Sequence, residues 1–278
     1  MAIELVQRFL PLTDELFATE SKASMLTNQS FSWDGAATVK VYAISTSGMH
    51  DYGRSGPADG NWSRYGKIDG LDATTQSFTI RKDRSFTFSI DKLDEDETAG
   101  QMAAATALAR QLREVVVPEV DEWVYRQMCE HAGQKKAAVA ITAANLYDLI
   151  IEGTNALDNA EAPDAGRVLV ITPDVHRIMK QSRDIILETV TGNDMRIKGV
   201  IGMLDGMNVI RVPASRVPAD FGFMIAHPVA TVAPVKLADY RVHRDPPGIS
   251  GSLVEGRLTF DAFVLKNKAD ALYYQAKA

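Results

Sequence analysis

QSFTIRKDRSFTFSID (Gln76 to Asp91) and the run that continues it, KLDEDETAGQMAAATALARQLREVVVPEVDEWVYRQMCEHAG (Lys92 to Gly133), decide the fold. In the first, Phe78 and Ile80, then Phe86, Phe88 and Ile90, fall on alternate positions, the two-residue period of a strand with one buried face. In the second the period changes. Leu108, Leu112, Val115, Val116, Val120, Val124 and Met128 recur at spacings of three and four, which places them on one stripe of a helix. Asp91, Asp94, Glu95, Asp96 and Glu97 stand where the positive end of a helix dipole favours acids, and His131 and Gly133 mark the far end. Roughly thirty residues at about 1.5 Å each predict an amphipathic spine of roughly 50 Å. Pro118 sits inside it, lacks an amide hydrogen and crowds the preceding turn, so a kink is expected near Val117.

Upstream, VKVYAIS (Val39 to Ser45) is a β-branched, aromatic run of strand length. Between it and Gln76 lies TSGMHDYGRSGPADGNWSRYGKIDGLDATT, dense in Gly, Asp and Ser and longer than a compact domain tolerates as a connector. A projecting loop is expected from Ser45 to Thr75. An isolated two-stranded ribbon is marginal in water and needs a surface to lie on. A neighbouring subunit is one such surface; the chain's own body is the alternative. Tyr52, Arg54, Trp62, Arg64, Tyr65 and Lys67 are the candidate contact residues at its tip, aromatic and arginine side chains being enriched at interfaces and lysine not. Residues 1–35 show no sustained period and read as an arm whose apolar residues need a partner, not as a core element.

Downstream, AAVAITAANLYDLIIEGTNALDNA reads as a helix capped by Thr142 around Leu146, Leu149 and Ile150. RVLVITP (Arg167 to Pro173) reads as a buried strand, and PDVHRIMKQS as a helix with Pro173 in its first turn. Ser182 to Lys198 reads as a long loop. Further strands are expected at Met207 to Pro213, at Phe221 to Val235 with an interruption at Pro228, around Tyr240 to His243, and at Arg257 to Leu265. Helices and strands on no regular βαβ schedule, with no internal repeat, indicate an α+β fold.

Thirty basic and thirty-six acidic residues give a charge of −6 and a pI near 5.4, which argues against a protein that coats nucleic acid. The single cysteine, Cys129, excludes a disulfide framework and any CxxC metal site; it reads as a helix-packing residue. No export signal and no apolar run long enough to cross a membrane is present. Gly60 to Lys67 misses the phosphate-loop pattern by one spacer and lacks its hydroxyl; Gly199, Gly202 and Gly206 lack dinucleotide-binding spacing; GISGS (Gly248 to Ser252) is not a nucleophile elbow. His50, His131, His176, His227 and His243 are scattered, with no i, i+4 pair. The expectation is therefore no catalytic residue, no cofactor and no metal.

The order of elements, with TIRKDRSFTFSIDKLDEDET, VVPEVDEW, IGMLDGMNVIRVPASRVP, IAHPVATVAPVKLADYRV and FDAFVLKNKADALYY as its most specific pieces, resembles the tailed-bacteriophage major capsid proteins of Hong Kong 97-type fold. The resemblance implies an N-terminal arm over 1–35, an extended β-loop with flanking strands over 36–90, a peripheral domain with the spine helix over 91–136, and an axial domain over 137–235. Residues 236–278 would return to the peripheral domain and end the chain. It further implies a subunit that self-assembles into hexamers and pentamers of an icosahedral head enclosing double-stranded DNA, made in the bacterial host cytoplasm. Portal, separate scaffold and decoration proteins would be its partners, with DNA touched non-specifically. Some relatives cross-link lysine to asparagine between subunits; Lys67 and Asn267 are present, but that chemistry is not carried over. An encapsulin-like shell around a cargo protein is the main alternative, and a soluble enzyme with an unrecognised site the other.

Overall fold

The computed structural model describes residues 21–28, 38–44, 47–57, 63–66, 70, 73–97, 104–182 and 200–278, which fall into two units, Gly35–Thr79 and the remainder. In the smaller unit β1 (Thr38–Ile44) and β2 (Ala73–Thr79) form an antiparallel ribbon whose register runs from Thr38↔Thr79 to Ile44↔Ala73.

The stretch expected as one strand over Gln76–Asp91 divides between β2 and β3 (Lys82–Asp91), which opens the larger unit; in β3 the alternation is realised, with Ile90 buried, Phe86 and Phe88 half-buried, and exposed residues between. The Asp91 carboxylate accepts from the Leu93 amide at 2.8 Å and so caps α1 (Lys92–Glu97). A further helix, α2 (Ala104–Gln111), passes through a π turn (Leu112–Val116) and continues as α3 (Val117–His131). Pro118 cannot donate to Glu114, and its ring crowds that carbonyl. A wider i→i+5 turn, with the Val117 amide bonded to the Leu112 carbonyl, is how the backbone passes this point.

Beyond Gly133 the sequence reading needs correcting. Gln134–Val139 is a strand, β4, and the helix, α4 (Leu146–Asn159), starts four residues after Thr142. The alanine-rich run is drawn into a sheet by parallel pairing with a strand from the chain's end, so tertiary pairing overrides helix propensity. Thr142 contributes its carbonyl to the first helical turn, while the Asn145 side chain accepts from the Thr142 amide.

β5 (Val168–Ile171) is buried at every residue, as expected, and α5 (Pro173–Gln181) follows with Pro173 at its start and the Thr172 hydroxyl accepting from the Val175 amide. β6 (Val200–Leu204) and β7 (Met207–Arg211) form a hairpin turned by Asp205 and Gly206, both at positive φ, as a two-residue Asp-Gly turn requires. β8 (Phe221–Ala226) is separated from β9 (Thr231–Val232) by a 3-10 turn at Pro228–Ala230, so the stretch expected as one interrupted strand serves two sheets. β10 (Val235–Arg244) and β11 (Gly251–Phe260) complete a three-stranded antiparallel sheet in the order β10-β11-β3. The strand expected over Arg257–Leu265 breaks after Phe260, and β12 (Phe263–Val264) pairs with β9.

The last strand, β13 (Leu272–Lys277), was not expected, and it lies between β4 and β8 in a six-stranded mixed sheet ordered β4-β13-β8-β5-β7-β6. The segment 236–278 thus contributes to three sheets, β10 and β11 to the three-stranded one, β12 to the pair with β9, and β13 to the six-stranded one. One face of the six-stranded sheet, through Leu169, Ile171, Phe223, Ile225 and Tyr273, packs on α4 and α5. The other, through Val170, Ile210, Met224 and Tyr274, shares a core with α2, α3 and the inner face of the three-stranded sheet.

Residues 21–28 also belong to this core. Ala23 and Leu26 are buried in it, which corrects the reading of 1–35 as wholly outside the core. The rest of that arm lies outside the described residues.

Candidate assembly surfaces

The ribbon of the smaller unit carries most of the sequence-predicted contact residues. Near its tip the Gly53 amide donates to the Arg64 carbonyl at 2.9 Å, which closes the two arms on each other. Tyr52 and Tyr65, flanking that bond, meet edge to face with ring centres 5.0 Å apart, a favoured aromatic geometry. A side chain at Gly53 would place its Cβ 2.1 Å from the Gly56 carbonyl oxygen, so this crossing needs glycine. Tyr65 is 78% exposed and Met49 fully so; Arg54 and Arg64 are exposed beside them. The fold therefore brings Tyr52, Arg54, Arg64 and Tyr65 together. Trp62 and Lys67 lie outside the described residues.

Pro118 sits at the start of α3, just past the π turn, and that turn leaves Val115 46% exposed. On the outer face of the three-stranded sheet, charges are matched in pairs. Arg257 holds Asp83 through two bonds of 3.0 and 2.6 Å, Arg241 reaches Asp239 at 2.8 Å, and His243 faces Glu255 at 3.3 Å. The Arg257 guanidinium holds the Asp83 carboxyl below its usual range. Such pairs, on an exposed face, are screened by solvent.

Two buried carboxylates organise the interior, and sequence reading missed both. Asp261, at the end of β11, accepts from the Arg81 amide (3.0 Å), the Arg81 Nε (3.3 Å), the Trp123 indole (2.8 Å) and the Ala262 amide (2.9 Å). Lys82 lies over the Trp123 ring, 4.0 Å from its centre. Asp121, on α3, accepts from Ser21 at 2.7 Å and from Arg216 at 2.8 Å. The one signal that could have found Asp121 is its place among the apolar positions of a helix, two positions from a Trp; Asp261 has none.

Cys129 is buried on α3, and burial pushes its thiol up to about 12, which makes it a packing residue in the structure. Among the described residues no three His, Cys, Asp or Glu side chains converge to hold a metal, and no helix is long and apolar enough to cross a membrane. Asn267 is exposed in the turn Lys266–Ala271.

No family model and no curated protein sequence matches the chain. Solved structures do. A subunit from Mycobacterium phage Che8 superposes with a TM-score of 0.65 at 17% identity, over 86% of this chain and 84% of its own. The capsid of cyanophage P-SCSP1u gives 0.66 at 13%, over 91% and 86%. This is the Hong Kong 97-type capsid fold. A virus-like particle from Pyrococcus furiosus shares it with a TM-score of 0.58 at 13% identity, over 98% of this chain and 97% of that one.

Proposed function

We propose that the chain is the major capsid subunit of a tailed phage, assembling into hexamers and pentamers that close an icosahedral shell around double-stranded DNA. The observation that carries this reading is the capsid fold matched across nearly the whole chain, with both phage capsids covered over 84% or more of their own length. The ribbon tip supports it. Exposed Met49 and Tyr65 beside Arg54 and Arg64 are an interface composition, and a two-stranded ribbon gains stability from a surface to lie on. Trp62 and Lys67 complete the same candidate contact set. Assembly would proceed by many modest head-to-tail contacts summed around closed rings. A portal protein, a separate scaffold protein and decoration proteins are the candidate partners of such a head; the subunit acts as structure, in the virion, after assembly in the host cytoplasm.

A second reading, an encapsulin-like shell around a protein cargo, is favoured by one observation, the end-to-end match to the virus-like particle from Pyrococcus furiosus. Negative-stain electron microscopy and size-exclusion chromatography of the chain, alone and with its neighbouring genes, test both readings. Closed shells holding nuclease-protected DNA support the phage head; closed shells holding a protein and no DNA support the second reading. A stable monomer or dimer under both conditions refutes both.

A further inference from the structure

Residues 21–28 cross the seam between α3 and the six-stranded sheet, and their polar contacts reach three separate elements. The Ser21 hydroxyl donates to Asp121 on α3 at 2.7 Å, the Lys22 ammonium to the Arg211 carbonyl at the end of β7 at 2.8 Å, and the Asn28 amide to the Thr231 carbonyl of β9 at 2.7 Å. Asp121 ties these together. Its second oxygen accepts from Arg216, in the turn that follows β7, at 2.8 Å, and the residue is 1% exposed. A carboxylate in so dry a place depends on its donors. Burial raises the Asp121 carboxyl, and the Ser21 hydroxyl and Arg216 guanidinium pull it back.

The apolar anchor is small by comparison. Ala23 and Leu26 are buried and Met25 partly so, whereas β5 and β8 are buried along their whole length. A segment held by few apolar side chains opens at lower cost than the strands beneath it.

We propose that residues 21–28 are a releasable strap clasped at Asp121, which opens as a unit while both sheets stay folded. Asp121 is its positioning residue: it holds the Ser21 end of the strap and the Arg216 turn on one carboxylate, and so fastens α3 to the sheet beside it. The strap is a property of the single chain and stands apart from shell assembly.

Hydrogen exchange of the full-length, unassembled chain tests this, read at the amides of Met25, Leu26 and Asn28 against those of β5 and β8. Strap amides are expected to exchange well ahead of the strand amides. Asp121→Asn and Ser21→Ala should each speed the strap by about tenfold, the loss of one charge-assisted hydrogen bond, with β5 and β8 remaining far slower than the strap in every variant. Leu26→Ala should do the same through the apolar anchor, and trypsin cleavage after Lys22 should rise in step. Should Asp121→Asn fail to fold, Ser21→Ala supplies the comparison, since its hydroxyl is at the open edge of the clasp. Strap and strand amides exchanging at one common rate, or strap amides left unmoved by both Ser21→Ala and Leu26→Ala, would overturn the proposal.

Discussion

Replacing Asp261 is expected to cost far more than replacing any of its cationic neighbours. The carboxylate is 1% exposed and takes four hydrogen bonds: two from backbone amides, one from the Trp123 indole and one from Arg81. The Arg81 side chain is 61% exposed, so its ion pair is screened and adds under about 1 kcal/mol. The other three donors are different. They point at one buried anion, and each such bond is worth about 1.5–3 kcal/mol. Asp261→Ala strands them together, for an expected loss of about 3–5 kcal/mol. Asp261→Asn keeps the size and one acceptor but sets an amide donor against the Arg81 N–H, for about 2 kcal/mol. Arg81→Ala should cost below about 1 kcal/mol. Urea unfolding of the unassembled subunit, followed by far-ultraviolet circular dichroism at a constant denaturant slope, reads all three. The reasoning fails if Arg81→Ala costs as much as Asp261→Ala, or if Asp261→Ala costs under about 1 kcal/mol.

Four other outcomes follow from the same geometry. Gly153→Ala should destabilise by about 1–3 kcal/mol even though alanine is the better helix former, because its Cβ would lie 2.9 Å from Ile225 and from the Tyr273 ring; a rise in melting temperature would refute it. Tyr125→Phe should be neutral or stabilising by about 1 kcal/mol, since the buried Tyr125 hydroxyl has no partner among the described residues; calorimetry reads the sign. Cys129, its thiol pushed up to about 12 by burial, should stay unlabelled by a thiol reagent at pH 8 and react at once in denaturant; rapid native labelling contradicts the buried assignment. Tyr65→Ala should leave the circular dichroism of the unassembled chain unchanged and sharply reduce the yield of closed shells by electron microscopy, so unimpaired assembly would remove the ribbon tip from the contact set.

What was legible in the sequence is what a period can encode. The switch from alternating Phe86, Phe88 and Ile90 to the three-and-four spacing from Leu108 to Met128 located β3 and the spine, and the continuous apolar run of β5 marked a strand covered on both faces. Of the strands not expected, β6 is one arm of a local hairpin, whereas β4 and β13 are defined by pairing over long separations. β4 is an alanine and lysine run with no strand signature; it becomes one only because β13, from the far end of the chain, lies parallel to it. β13 itself reads as a tail, and its burial comes from sitting between β4 and β8.

The candidate contact residues were legible by composition, because a tip rich in Tyr and Arg beside glycine turns does not need an alignment to be noticed. Asp121 and Asp261 were not, because their importance lies in donors from residues about a hundred positions away or more: Ser21 and Arg216 for one, Arg81 and Trp123 for the other. The same distinction explains why the fold is shared with capsid subunits at 13 to 17% identity. A sheet-and-spine architecture constrains which positions are apolar and where a glycine must pass a ring, as Gly256 does between Phe86 and Tyr240, where a Cβ would lie 2.3 Å from Phe86 Cζ. It leaves the identity of most residues free, so the order of periods persists where residue-by-residue likeness does not.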